Sequence, residues 1–144
     1  MTIKGLDERT SQDYRGFHEG VADSFSILSL DTACSGLDFS GDGTGCFRDF
    51  ENNHYRYPVD NEDPHIRGMP LAAAFWKLQV ALKKRYGVEE GLSRSQNLFL
   101  RTMLINDSGY DLSIAQDLLF IDAELYRGEN SYMIVTIFKE LGLI

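Results

Sequence analysis

The sequence is short of several residue types that would classify it quickly. Its 144 residues include two cysteines, three histidines, three prolines and one tryptophan. Two cysteines allow one disulfide at most. The histidines stand at positions 18, 54 and 65, and no two are four apart, which excludes a pair of imidazoles stacked one turn apart on a helix. Basic residues are also in deficit: 14 Lys and Arg against 22 Asp and Glu give a formal charge of −8. Nucleic acid and anionic membrane both need clustered positive charge, so neither is an expected partner. The densest basic run, "KLQVALKKRYG", holds Lys77, Lys83, Lys84 and Arg85. It reads as the end of a helix, where cations complement the helix dipole. No apolar run approaches the roughly 20 residues that span a bilayer, so no membrane segment is expected. The opening "MTIKGLDERTSQD" has no apolar signal-peptide core. Either the protein stays in the cytoplasm or a segment ahead of Met1 is missing from this chain.

What is present fits a globular chain: 43% hydrophobic and 25% charged residues. The length suits one domain with a real core, and neither a repeat nor a linker divides residues 1–144. The patterning predicts an all-α bundle of about five helices with one long irregular loop over 34–66. Helix one is expected from Glu8 to Thr32, with Tyr14, Phe17, Val21, Phe25 and Leu28 recurring every three or four residues. Helix two is expected to start at Pro70 and stop at Gly87, with Leu71, Ala74, Phe75, Leu78 and Leu82 buried. Trp76 reads with Phe75 as core. Helix three covers about Glu90 to Ile105, turning Leu92, Phe99, Met103 and Leu104 inward. Helix four covers about Leu112 to Tyr126, with Ile114, Leu118, Ile121 and Leu125 on one face. Helix five follows Asn130 as N-cap and buries Met133, Ile134, Ile137, Phe138 and Leu141.

The loop 34–66 is rich in Gly, Asp and Asn, and an irregular stretch of that length is often functional. Cys34 and Cys46 bracket "SGLDFSGDGTG". They form a disulfide if the protein is exported and two free thiols if it is not. Asp38, Ser40, Asp42, Thr44 and Asp49 match positions one, three, five, seven and twelve of a calcium loop, with Gly43 at six. Gly45 stands where an apolar residue is expected, and the last ligand is Asp instead of Glu, so a Gly/Asp turn cluster is the competing reading. The run "NNHYRYP" either lines a cleft or packs the loop onto the bundle.

On helix one, "YRGFHEGVADSFS" places Glu19 and Asp23 four apart on one face, an unfavourable pair unless a cation or donor lies nearby. Gly20 and Ala22 are small enough to admit another element. A solvated polar stripe would account for the spacing. The segment "GFHEGVADSFS" also resembles the one carrying the third zinc ligand in thermolysin-like and fungalysin-like zinc metallopeptidases. By that resemblance Glu19 is the metal ligand, and Asp23 is the carboxylate that orients a ligating histidine. "CFRDFENNHYRYP" resembles the family's arginine segment, which makes Arg48 the contact to a substrate carbonyl. "DPHIRGMPLAAAFWKL" resembles the segment whose histidine meets developing negative charge, here His65, with Asp63 a candidate to orient it. The closing "DLSIAQDLLFIDAELYRGENSYMIVTIFKELGLI" resembles the last two helices of the family. The likeness runs over about residues 12–144 and implies zinc as cofactor and a peptide or protein as substrate. Without the resemblance, Arg48 would pair locally with Asp49 or Glu51, and His65 would cap the turn before Pro70.

The departure from the family is large. Its H-E-x-x-H helix, which holds two zinc ligands and the general base, does not occur in this sequence. The chain therefore resembles the C-terminal lobe alone, to be completed by an N-terminal catalytic half, in a secreted or periplasmic enzyme. One carboxylate cannot hold a catalytic zinc that takes three protein ligands, so the chain by itself is expected to be inactive. The alternatives are a degenerate helical binding or scaffold module and a small calcium-binding protein.

Overall fold

The computed structural model describes residues 4–38, 40–43, 45–106 and 111–144, with side chains from residue 12 onward. Among these residues the chain forms five helices, α1 (Lys4–Leu30), α2 (Pro64–Tyr86), α3 (Val88–Ile105), α4 (Ser113–Tyr126) and α5 (Ser131–Glu140). Between α1 and α2 lie two short strands, β1 (Cys34–Leu37) and β2 (Cys46–Asp49). The protein is thus an all-α bundle with one small hairpin, and no helix among the described residues is long and apolar enough to cross a membrane.

Helix α2 is the axis of the bundle and packs against α1, α3 and α5. Every residue from Gly68 to Trp76 is buried, the pattern of a helix covered on all sides. It begins six residues earlier than Pro70. Asp63 Oδ1 accepts the His65 backbone N–H at 2.9 Å as N-cap, and Pro64 occupies the first turn, where a missing N–H costs nothing. Pro70 lies inside the helix, buried among its neighbours. Gly87 ends α2 at φ 87°, and its N–H closes on Lys83 O at 2.9 Å.

Helices α1 and α2 meet through glycine. A side-chain carbon added at Gly68 would stand 2.5 Å from both Gly16 O and Gly20 N. The inward stripe of α1 is therefore Gly16, Phe17, Gly20, Asp23, Ser24, Ile27 and Leu28, and Ser24 satisfies its hydroxyl by donating to Gly20 O at 2.6 Å. Tyr14 and Phe25, expected in that stripe, are instead exposed, because small residues allow the backbones to approach and turn the large ones outward. On α3, Leu98, Phe99 and Thr102 face the core, whereas Leu104 is 80% exposed, one position off the buried face. On α4, Leu125 is likewise exposed, and the fully buried Asp122 takes an inward place.

The apolar centre joins Phe75, Phe99 and Phe138, with Phe75 edge-on to the other two at centroid distances of 5.0 and 5.5 Å. Asn130 does precede α5, but its side chain makes no cap bond. Its backbone N–H and Nδ2 donate to Asp122 at 3.0 and 2.7 Å, and its Oδ1 accepts from the Tyr86 hydroxyl at 2.9 Å. This buried network fastens the α4–α5 turn to the end of α2.

The 34–66 stretch is more ordered than its composition predicts. β1 and β2 pair antiparallel, with Cys34 opposite Asp49, Ser35 opposite Arg48 and Leu37 opposite Cys46. A Cys34–Cys46 disulfide joins the strands, with Cα atoms 5.5 Å apart. Phe50, fully buried, anchors the end of β2, and its N–H donates to Ala33 O at 2.9 Å. Beyond it, Tyr55 and Tyr57 pack against the core, so this run fixes the loop to the bundle. Arg56 Nε and the Tyr57 N–H donate to Glu140 O and Leu141 O at 3.1 and 2.8 Å, covering carbonyls that the end of α5 leaves unpaired.

Candidate functional site

Four residues singled out in the sequence, Glu19, Asp23, Arg48 and His65, come from three separate segments and meet along α1 in two pairs. Glu19 and Asp23 stand one turn apart on the helix. Glu19 Oε2 lies 3.1 Å from His65 Nδ1. Asp23 receives Arg48 Nε on Oδ2 at 2.8 Å and Arg48 Nη2 on Oδ1 at 2.7 Å, a two-point grip.

Local structure explains both pairs. His65 is the second residue of α2, and the glycine contact draws that helix onto α1 beside Gly20. The imidazole thus reaches the carboxylate next door at Glu19. Arg48 is carried by the hairpin. Its cross-strand partner Ser35 points the same way and donates to Asp23 Oδ1 at 3.1 Å. Ser35 was not a sequence candidate. Two donors thus answer the like-charge problem at Asp23, and at Glu19 the His65 ring lies alongside the carboxylate.

The pairs differ in environment. The side chains of Glu19 and His65 are 37% and 42% exposed, so water screens this contact and it is worth little to stability. The Asp23 and Arg48 side chains are 7% and 13% exposed. That pair lies away from water, where loss of one partner strands the other's charge. Arg48 also lies beside the exposed Phe47 ring, 5.2 Å from its centroid.

Other candidates take different roles. Asp63 caps the backbone of α2 and holds the His65 N–H, not its ring. Arg48 reaches Asp23 across 25 positions in place of the neighbouring Asp49 or Glu51. Asp49 turns to its own bend, where Asn52 Nδ2 donates to it at 2.7 Å and holds its carboxyl below the usual carboxylate range. Glu51 accepts from Trp76 Nε1, and the Trp76 ring is part of the core. The hairpin spreads the calcium-loop positions apart: the Asp38 N–H bonds to Gly45 O, while Asp49 faces Cys34 at the other end of the strands. Asp38 Oδ1 accepts the Gly43 N–H at 2.6 Å, and Thr44 lies outside the described residues. The His18 ring meets the Tyr14 ring at a tilt of 57°, with centroids 4.2 Å apart.

A second polar cluster lies below the site. Arg67 Nη1 donates to Asp13 Oδ1 at 2.6 Å and Nη2 to Gln12 Oε1 at 2.8 Å, and the Tyr57 hydroxyl donates to Asp13 Oδ2 at 3.1 Å. Burial, then the nearby Asp13 charge, pushes the Tyr57 phenol above its ordinary value. A cleft of about 330 Å³ opens here between Asp13, Pro58, Val59, Asp60 and Arg67.

A catalytic zinc takes three protein ligands. Glu19 has one imidazole within reach, and among the described residues no three or more His, Cys, Asp or Glu side chains converge on a possible metal position. The residues present do not fit a catalytic zinc unaided.

No protein-family model, no curated protein and no solved structure matches the chain.

Proposed function

We propose that the chain is the C-terminal helical lobe of a zinc-dependent endopeptidase of the thermolysin-like kind, and that it is inactive alone. Glu19 offers its carboxylate as the third metal ligand. His65 faces the carbonyl of a peptide substrate; for Asp23 to support a ligating histidine and Arg48 to meet that carbonyl, the Asp23–Arg48 pair must open when the catalytic half docks. The observation that carries the reading is the meeting of Glu19 and His65, 46 positions apart, at 3.1 Å on the exposed side of α1. A metal ligand and a group that meets negative charge on a carbonyl must share one opening, and both are accessible there. The Cys34–Cys46 disulfide supports an exported protein, since disulfides persist in oxidising compartments. The metal, two further ligands and the general base all belong to the other half.

The coding sequence ahead of Met1 tests this directly. An in-frame H-E-x-x-H there supports the lobe, and a stop codon just upstream overturns it. The chain alone should leave casein intact with or without zinc; zinc-dependent cleavage by these residues alone would refute the division of labour.

One observation favours a second reading, a non-catalytic helical module. Both Asp23 oxygens are already taken by Arg48 and Ser35, so the four residues would serve to pin the hairpin and α2 to α1. That module predicts no change in zinc affinity on replacing Glu19.

A further inference from the structure

We propose that the Cys34–Cys46 disulfide is a redox-sensitive clasp that decides whether Arg48 and Ser35 hold the Asp23 carboxylate. The inference does not rest on the peptidase reading, because it concerns only how the hairpin is held.

The two donors to Asp23 are one cross-strand pair, and each sits beside a bridged cysteine. Ser35 follows Cys34, Arg48 lies two residues after Cys46, and Ser35 and Arg48 face each other in the ladder. The grip on Asp23 therefore exists only while the strands are closed. Besides the disulfide, the described residues hold the strands through the Arg48 and Ser35 bonds to Asp23 and the Phe50 N–H to Ala33 O. Each strand has four residues, and an isolated two-stranded hairpin is marginal in water. The connection holds Gly41, Gly43 and Gly45 at positive φ, and a side-chain carbon at any of the three would meet nothing within 4 Å, so these glycines add no side-chain packing to repay their ordering. Leu37 and Phe47 point outward and bury little. Phe50 fixes the far end of β2 to the core, and its N–H to Ala33 O ties that end to the residue before β1.

Both cysteines are only partly buried, so a small dithiol can reach them. A thiolate of the dithiol attacks one sulfur and forms a mixed disulfide; its second thiol then displaces that sulfur. The Cys34–Cys46 bond breaks, two electrons and two protons pass to the cysteines as thiols, and the dithiol closes to its own disulfide. Closing a loop of this length restrains the open chain by a factor on the order of 10². Reduction releases that factor to the hairpin alone, because α1 and α2 are held by their own glycine-lined contact. Arg48 and Ser35 leave with the strands, and the Asp23 carboxylate becomes available to another donor.

Hydrogen exchange of the full chain with and without dithiothreitol tests the clasp, alongside the Cys34→Ser/Cys46→Ser double variant. The expected result is exchange at residues 34–37 and 46–49 rising about 100-fold, with α2 and α3 unchanged. The side-chain Nε–H of Arg48 should also lose its protection, and both signals should return on reoxidation of the wild type. Unchanged protection across the hairpin would overturn the proposal. So would exchange rising through all helices in the reduced wild type, since the disulfide would then staple the whole fold. Should the double variant fail to fold, the reversible wild-type comparison decides alone.

Discussion

Replacing Gly68 by alanine probes the contact that builds the site. The added carbon would stand 2.5 Å from Gly16 O and Gly20 N, both backbone atoms, whereas ordinary contact begins at 3.4 Å. Neither atom can rotate away, so α1 and α2 must part by about 0.9 Å or shift along each other. Overpacking of this kind costs about 1–3 kcal/mol. Alanine returns up to about 1 kcal/mol through its better helix propensity. Two backbone atoms clash at once, so the upper part of the overpacking range, about 2–3 kcal/mol, applies, and the net loss of about 1–2 kcal/mol lowers Tm by roughly 2–8 °C for a domain near this size. Calorimetry and urea unfolding measure it. Nitrogen and proton shifts of the His65 ring should move as well, because His65 lies on the same first turns of α2 and faces Glu19. An unchanged or higher Tm would refute the close glycine contact, and with it the account of why His65 reaches Glu19.

Replacing Arg48 by methionine should cost about 3–5 kcal/mol in urea unfolding, because the buried Asp23 loses its guanidinium; a loss below about 1 kcal/mol would contradict the two-point grip. In Asn130→Ala, Asp122 loses its side-chain donor and the Tyr86 hydroxyl its acceptor, with an expected cost of about 2–4 kcal/mol. For Tyr57, the fold holds the phenolic proton more tightly than the unfolded chain does. Its contribution is therefore fully present below the ordinary phenol value near pH 10 and is lost as pH rises through the higher folded value. Tyr57→Phe should flatten that alkaline decline, and an unaltered decline would contradict it.

Much of the helical frame could be read from residue spacing, since apolar positions three and four apart mark where helices bury a face. The boundaries of α3, α4 and α5 fall within two residues of expectation. The start of α2 precedes Pro70 because two prolines suit a first turn and Asp63 with Pro64 already forms the N-cap and first-turn pair. The inward face of α1 departs from expectation because its large apolar residues Tyr14 and Phe25 do not mark it. Gly16 and Gly20, four apart, carried the signal that a neighbour comes close on that side. The hairpin was hidden because strands of four residues are too short for alternation to stand out against a Gly-rich loop. For the site, Glu19 and Asp23 were legible as unneutralised neighbours on one helix face. Their partners lie 46 and 25 positions away, distances over which local pattern says nothing. Ser35 had no signal of its own; it is placed by strand register.

We propose that Glu19 is presented to a metal whose other ligands come from another segment. The most direct measurement is zinc content and casein cleavage of the chain extended by its upstream reading frame, compared with Glu19→Ala in that same polypeptide. One bound zinc and cleavage in the parent, both lost in the variant with little change in Tm, is the outcome the account predicts. Zinc content and cleavage that persist in Glu19→Ala would contradict it, as would an extended chain that neither binds zinc nor cleaves casein.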